Sequence, residues 1–127
     1  MPRLFVYGTL MTGIYNHASL ENSIFIGSGI TVDKFSLHVS GTIPFLHDDS
    51  RDYQVLGELY EVESKVLGEI DFLESNLDWY TREEIDVNVD GKIYTAWIYV
   101  NNEEAVKLDH GDFKLYINRI TREFYST

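Results

Sequence analysis

The chain opens with Leu4-Phe5-Val6-Tyr7, apolar and β-prone, running straight into Gly8-Thr9-Leu10. This predicts a buried strand over Leu4 to Tyr7 that ends abruptly in a loop. The polar stretch from Asn16 to Glu21 has room for a short helix. From about Ile30 to Val39, the apolar positions Val32, Phe35, Leu37 and Val39 predict one kinked strand. Gly41-Thr42-Ile43-Pro44 predicts a loop, because proline lacks a ladder donor and restrains the residue before it. Val55 to Val62 predicts a strand carrying Leu56, Leu59, Tyr60 and Val62 around Gly57.

The period changes between Glu63 and Ser75, where Val66, Leu67, Ile70 and Leu73 recur at helical spacing behind Ser64, a candidate N-cap. Ile85 to Val89 then alternates strictly. Asp90-Gly91 is a type I′ hairpin signal, because both central residues of that turn need positive φ. Ile93 to Val100 is apolar on both faces, which predicts a central strand. Near the C-terminus Phe113, Ile117, Ile120 and Phe124 fit a helical stripe, and Gly111 leaves a loop open as the alternative. With no repeat, linker or low-complexity tract, residues 1–127 read as a single α+β domain.

One carboxylate falls inside the predicted apolar stripe. With Val66 as origin and about 100° per residue, Ile70 lies near about 40°, Glu74 near about 80°, Leu67 near about 100° and Leu73 near about 340°. Glu74 therefore points with the apolar face. A carboxylate there is costly unless it is paired or lines a cavity, and desolvation raises its pKa toward the range useful for proton transfer. The alternative at Glu74 is a frayed helix end with a solvated side chain.

Composition narrows the classes. The formal net charge is −11, from 21 acidic and 10 basic residues. Such a chain lacks the basic footprint that nucleic acid or an anionic membrane requires. Without cysteine there is no disulfide, thiolate metal site or cysteine nucleophile. No apolar run is long enough to span a bilayer and no signal peptide opens the chain, so a cytoplasmic location is expected. His17, His38, His47 and His110 are scattered, with no pair at helical metal-site spacing. His47-Asp48-Asp49 reads as an exposed acidic turn, and Glu83-Glu84 and Glu103-Glu104 as solvated strand ends or loops. Gly27-Ser28-Gly29 does not complete a dinucleotide fingerprint, and there is no P-loop or nucleophile elbow. The loop after the first strand is the remaining candidate: a bare backbone at a strand end can form an anion-binding concavity. A plain strand and turn is the alternative there.

Tyr7-Gly8-Thr9-Leu10, Gly57-Glu58-Leu59-Tyr60-Glu61-Val62, Ile70-Asp71-Phe72-Leu73-Glu74 and Tyr80-Thr81-Arg82 follow one another before the hairpin. Their order and spacing resemble the γ-glutamylcyclotransferase-like (AIG2-like) family, and most closely its γ-glutamylamine cyclotransferase branch. Asn16-His17 and Pro44-Phe45-Leu46 add to the likeness. It runs from about Leu4 to Val100, with Ser75 where many relatives have glycine. The resemblance implies a small mixed β-barrel of five or six strands with flanking helices. It also implies a cofactor-independent, metal-free enzyme, a lyase or acyltransferase that forms 5-oxoproline. The α-amine of a γ-glutamyl group attacks its own γ-carbonyl and releases an amine, with a γ-glutamylamine such as γ-glutamyl-lysine as substrate class. By the same resemblance Glu74 is the catalytic acid/base, and Tyr7, Gly8, Thr9 and Leu10 hold the substrate.

This chemistry suits the residues. The amine must lose a proton before it attacks, and the leaving nitrogen must gain one; a single carboxylate can do both. Nucleophile and electrophile share one molecule, so positioning supplies much of the acceleration. The loop N–H groups can hold the α-carboxylate or polarise the γ-carbonyl. Tyr80 can hydrogen-bond the substrate or Glu74, or pack beneath the hairpin. Two other classes compete: a non-catalytic small-ligand-binding module on the same fold, and an acidic interaction protein. The first needs no desolvated carboxylate beside the loop, and the second no pocket at Gly8. The oligomeric state is not encoded in these patterns.

Overall fold

The computed structural model describes residues 1–14, 17–77 and 80–126, with side chains for all of these except 75–77 and 123–126. Asn16 and the side chains of Ser75 and Phe124, which entered the sequence reading, lie outside the described residues. The first strand, β1 (Arg3–Val6), is followed by one 3-10 turn at His17–Leu20, then β2 (Ile24–Thr31), β3 (Ser36–Ser40), β4 (Ile43–His47) and β5 (Leu56–Glu61). Helix α1 (Ser64–Leu77) leads to the hairpin β6 (Thr81–Val89) and β7 (Lys92–Val100). A two-residue strand, β8 (Val106–Lys107), precedes the C-terminal helix α2 (Phe113–Ser126).

Strands β1, β5, β2, β6 and β7 close in that order into a mixed barrel, sealed by a parallel pairing of Leu4 with Trp97. The other barrel pairings are antiparallel. A separate sheet of order β4-β3-β8 lies alongside. Closure removes the unpaired edges that would otherwise invite aggregation. Phe5, Leu4, Leu59, Val62, Val87 and Ile98 are fully buried, and they draw both sheets and α2 into one cluster through Leu37, Leu46 and Phe113. Gly57 permits this closure: a Cβ there would sit 2.7 Å from the Phe5 ring. Among the described residues no helix is long and apolar enough to cross a membrane.

Several expectations hold and several shift. The hairpin forms at Asp90-Gly91, with φ of 52° and 84°. Strand β7 is covered on both faces only in its second half; Ile93 and Thr95 are exposed. The single kinked strand from Ile30 to Val39 is in fact two strands in different sheets. The break falls at 32–35, where Phe35 leaves the barrel to bridge Tyr53. The N-terminal part of β2 was missed, because Gly27 and Gly29 weaken the strand pattern there. Those glycines face the Val89 side chain, which sits 2.7 Å and 2.8 Å from where their Cβ atoms would be. The loop assigned to residues 41–44 is shorter: Gly41 takes the positive φ and Ile43-Pro44 already belong to β4. Pro44 is tolerated there because β4 is an edge strand. Ser64 is the first helical residue rather than the cap, since the Glu63 carbonyl accepts the first helical bond from Leu67 at 3.0 Å.

The acidic and histidine-rich segments are less solvated than their sequence suggests. His47 is buried and its ring stacks on that of His38 at 3.5 Å, because β3 and β4 pair directly. Glu83 in β6 shares a hydrogen bond with Asp48, and that contact with partial burial raises its pKa to about 7. Such a raised carboxyl favours the folded state below its unfolded value, and the advantage is lost as pH rises through about 7. Glu83→Gln keeps a donor for Asp48 and cannot ionise. It should therefore melt higher than the parent at pH 8.5 and nearly level with it at pH 5. Equal differences at both pH values in a calorimetric series would refute the assignment.

Candidate active site

Helix α1 buries a narrow stripe, with Leu67 and Ile70 almost fully covered. Glu74 lies between them on the helical wheel and is half-buried. Leu73, expected on the same face, is 48% exposed, so the buried arc is narrower than the apolar pattern implied and centres near Glu74. The helix end is tied back by the Tyr80 N–H, which donates to the Glu74 carbonyl at 2.9 Å.

A cavity of about 260 Å³ opens beside this helix end. It is lined by the turn from Tyr7 to Leu10, by Ile43 and Pro44 of β4, and by Glu74, Tyr80 and Tyr99. Every site residue singled out from the sequence (Tyr7, Gly8, Thr9, Leu10, Glu74 and Tyr80) faces this one cavity. Glu74 is the only charged residue among the described lining residues. Gly8 is required by a close approach: its missing Cβ would lie 2.6 Å from Pro44 Cγ. The loop is thus bare because the Pro44 ring packs onto it, a reason the sequence did not show.

The turn is held from behind. Met11 N–H donates to the Gly8 carbonyl at 3.1 Å, and His17 Nδ1–H to the Leu10 carbonyl at 2.9 Å. Thr12 N–H donates to Glu58 Oε1 at 2.7 Å, and the Tyr60 hydroxyl to the same oxygen at 3.0 Å. Lys114 of α2 pairs with the other Glu58 oxygen at 3.1 Å. Burial alone would raise the Glu58 pKa, but the Thr12 N–H, Lys114 and Tyr60 together hold it below its ordinary value. Glu58 therefore stabilises the fold above the ordinary carboxylate pKa, and that contribution is lost as pH falls through the lower folded value. Glu58→Gln should lower the melting temperature by on the order of 5 °C at pH 7. The gap from the parent should close as the solution is acidified below pH of about 4; a gap that stays constant would disprove the role. Sequence reasoning passed over Glu58, although an acid flanked by Gly57 and Leu59 inside an apolar strand was the available signal.

The tyrosines are placed by packing and hydrogen bonds. The Tyr80 ring stacks in parallel on Phe45 at 6.0 Å and its hydroxyl donates to the Pro44 carbonyl. The Tyr7 hydroxyl donates to the Tyr99 carbonyl at 2.8 Å, and burial with Tyr80 and Glu74 nearby pushes its phenol well above the usual value. The Tyr99 hydroxyl donates to Asp71 Oδ1 at 2.7 Å, and Arg82 pairs with Asp71 Oδ2 at 3.3 Å. Tyr99 was not singled out from the sequence. Strand alternation could not name Asp71 as its partner. Among the described residues no group of three or more His, Asp or Glu side chains could hold a metal ion.

Comparison with known proteins bears on what such a cavity is for. The family model for γ-glutamyl cyclotransferase, AIG2-like, matches residues 4–115, so the likeness extends past Val100, where the sequence reading ended it. A Methanocaldococcus jannaschii protein provisionally named a gamma-glutamylcyclotransferase is 39% identical, over 91% of this chain and 98% of its own. The gamma-glutamylaminecyclotransferase of Rattus norvegicus is 38% identical over 70% of this chain and 65% of its own. Among solved structures, an AIG2-like protein from Mus musculus superposes with a TM-score of 0.74 at 31% identity, covering 83% of this chain and 80% of the other. The chain belongs to the γ-glutamyl cyclotransferase, AIG2-like family.

Proposed function

We propose that the protein converts γ-glutamylamines to 5-oxoproline and the free amine, with Glu74 as the acid/base. The observation that carries this reading is the pairing of one half-buried carboxylate with a bare backbone turn in a single small cavity. In this mechanism Glu74 takes a proton from the substrate α-ammonium. The freed amine attacks the γ-carbonyl carbon, forming the ring C–N bond. Glu74 then returns the proton to the departing nitrogen as the original amide C–N bond breaks, and the ring nitrogen's remaining surplus proton passes to the freed amine, which leaves as an ammonium beside neutral 5-oxoproline. Met11 N–H and Thr12 N–H are committed inside the protein, and the Gly8 to Leu10 segment lines the cavity. Its N–H groups are suited to an α-carboxylate or to the negative charge on the γ-oxygen during attack.

Charge supports the amine rather than the amino-acid class. A γ-glutamyl amino acid or glutathione carries a further carboxylate on the leaving side. No described lining residue is basic, and the chain carries a net charge of −11. A simple alkylamine adds no carboxylate, and in ε-(γ-glutamyl)-lysine the lysine carboxylate is offset by the lysine ammonium, so neither brings net negative charge to the leaving side. The name of the rat relative agrees with this class. The test is a panel of γ-glutamyl compounds matched in size. The amine members should exceed the amino-acid members in kcat/KM, and the preference should shrink with added salt. A preference for glutathione or γ-glutamyl amino acids would overturn the amine assignment. The binding-module reading requires tight binding with no 5-oxoproline released from any member.

A further inference from the structure

All three tyrosines that line the cavity give their single hydroxyl hydrogen to the protein. Tyr7 donates to the Tyr99 carbonyl, Tyr80 to the Pro44 carbonyl and Tyr99 to the Asp71 carboxylate. A phenol has one hydrogen and otherwise only lone pairs, so a ligand that meets these oxygens meets acceptors. Glu74 adds a carboxylate to the same lining. The tyrosines and Glu74 thus give the cavity lining a set of hydrogen-bond acceptors.

The polarity of Tyr99 is the most firmly fixed. A carboxylate accepts and never donates, so Asp71 holds the Tyr99 hydrogen on its own side. Arg82 in turn holds Asp71, and its guanidinium lies 4.3 Å from the centre of the Trp97 ring. Burial first, and then the Asp71 hydrogen bond, push the Tyr99 phenol far above its usual pKa, so it remains a neutral hydroxyl. An ammonium is the complementary group: it has three hydrogens and no lone pair.

We propose that the Tyr99 phenol oxygen binds the substrate α-ammonium, and that Asp71, acting through Tyr99, is a positioning residue that keeps this oxygen an acceptor. The proposal rests on the cyclotransferase reading, because that ammonium is the group Glu74 must deprotonate. It makes recognition of a free α-amine a property of the cavity wall as well as of the chemistry.

The experiment compares γ-glutamyl-n-butylamide with glutaric acid mono-n-butylamide, which lacks only the α-amine. KM and kcat are measured for the first, and the competitive inhibition constant for the second. Tyr99→Phe should lower kcat/KM for the amino compound by about 10- to 100-fold, the range for a hydrogen bond to a charged group. It should leave the inhibition constant of the desamino compound within about twofold, because that ligand never used the contact. Asp71→Asn should act in the same direction by a smaller factor, since its amide can also donate to the phenol oxygen and release the Tyr99 hydrogen. An equal loss for both compounds would mark Tyr99 as structural only, and no loss for either would remove it from recognition. A selective loss in Tyr99→Phe with none in Asp71→Asn removes Asp71 from the proposal. If the parent releases no 5-oxoproline, the cyclotransferase reading fails by itself. The affinities of the same two compounds, measured by calorimetry, then decide the acceptor role: a parental preference for the amino compound that Tyr99→Phe erases supports it, and no preference overturns it.

Discussion

Glu74→Gln should reduce 5-oxoproline release by about 10²–10⁴-fold, the usual worth of general acid–base catalysis. Glutamine keeps the length of the side chain and a polar end but cannot cycle a proton. The loss should appear in kcat, with substrate affinity nearly unchanged, because proton transfer is needed at the transition state and not for binding. The fold should survive: Leu67 and Ile70, which anchor this helix face, are untouched and almost fully buried. Single-turnover release of 5-oxoproline, read beside calorimetric binding of the same γ-glutamylamine, separates the two effects. Turnover at the parental rate would eliminate Glu74 as the proton carrier. A loss of binding equal to the loss of turnover would make it a binding residue.

Gly8→Ala should be the most damaging single-methyl change at the cavity. The new carbon would sit 2.6 Å from Pro44 Cγ, which is close to 1 Å short of ordinary carbon–carbon contact. Either the turn or the tip of β4 must move, and both line the cavity. A displacement of about 1 Å at a reacting site can cost about 10²-fold in rate. The expected result is a fall of that order in kcat/KM for a γ-glutamylamine, with the chain still folded by circular dichroism. Gly68→Ala provides the contrast. Its Cβ would meet nothing within 4 Å, on the exposed side of α1. It should leave kcat/KM unchanged and add about 0.5–1 kcal/mol of stability, the usual gain for replacing a mid-helix glycine. Parental activity in Gly8→Ala would show that the turn does not position the substrate.

What the sequence made legible follows from local physics. The hairpin at Asp90-Gly91, helix α1 and the strand before Gly8 rest on turn chemistry and periodicity, which neighbouring residues determine among themselves. Glu74 was visible for the same reason, since the helical wheel places it between Ile70 and Leu67. The failures are long-range. Ile30 to Val39 looked continuous because alternation does not record that a chain has changed sheets. Tyr99 and Asp71 are 28 positions apart, and only folding brings the hydroxyl to the carboxylate. Leu73 looked as apolar as its neighbours, and only the width of the covered arc separates it from them. Glu58 was hidden by its motif. Its buried charge makes sense once Thr12 and Lys114, 46 and 56 residues away, are seen to converge on it.

The central claim is that the cavity promotes attack by the substrate's own α-amine. The most direct measurement follows γ-glutamyl-lysine by NMR with the intact protein and quantifies every product. 5-Oxoproline and lysine should appear in equal amounts from the first turnover, with no free glutamate and no requirement for added metal or cofactor. Release of glutamate in place of 5-oxoproline would show that water, not the α-amine, is the nucleophile, and would contradict the account.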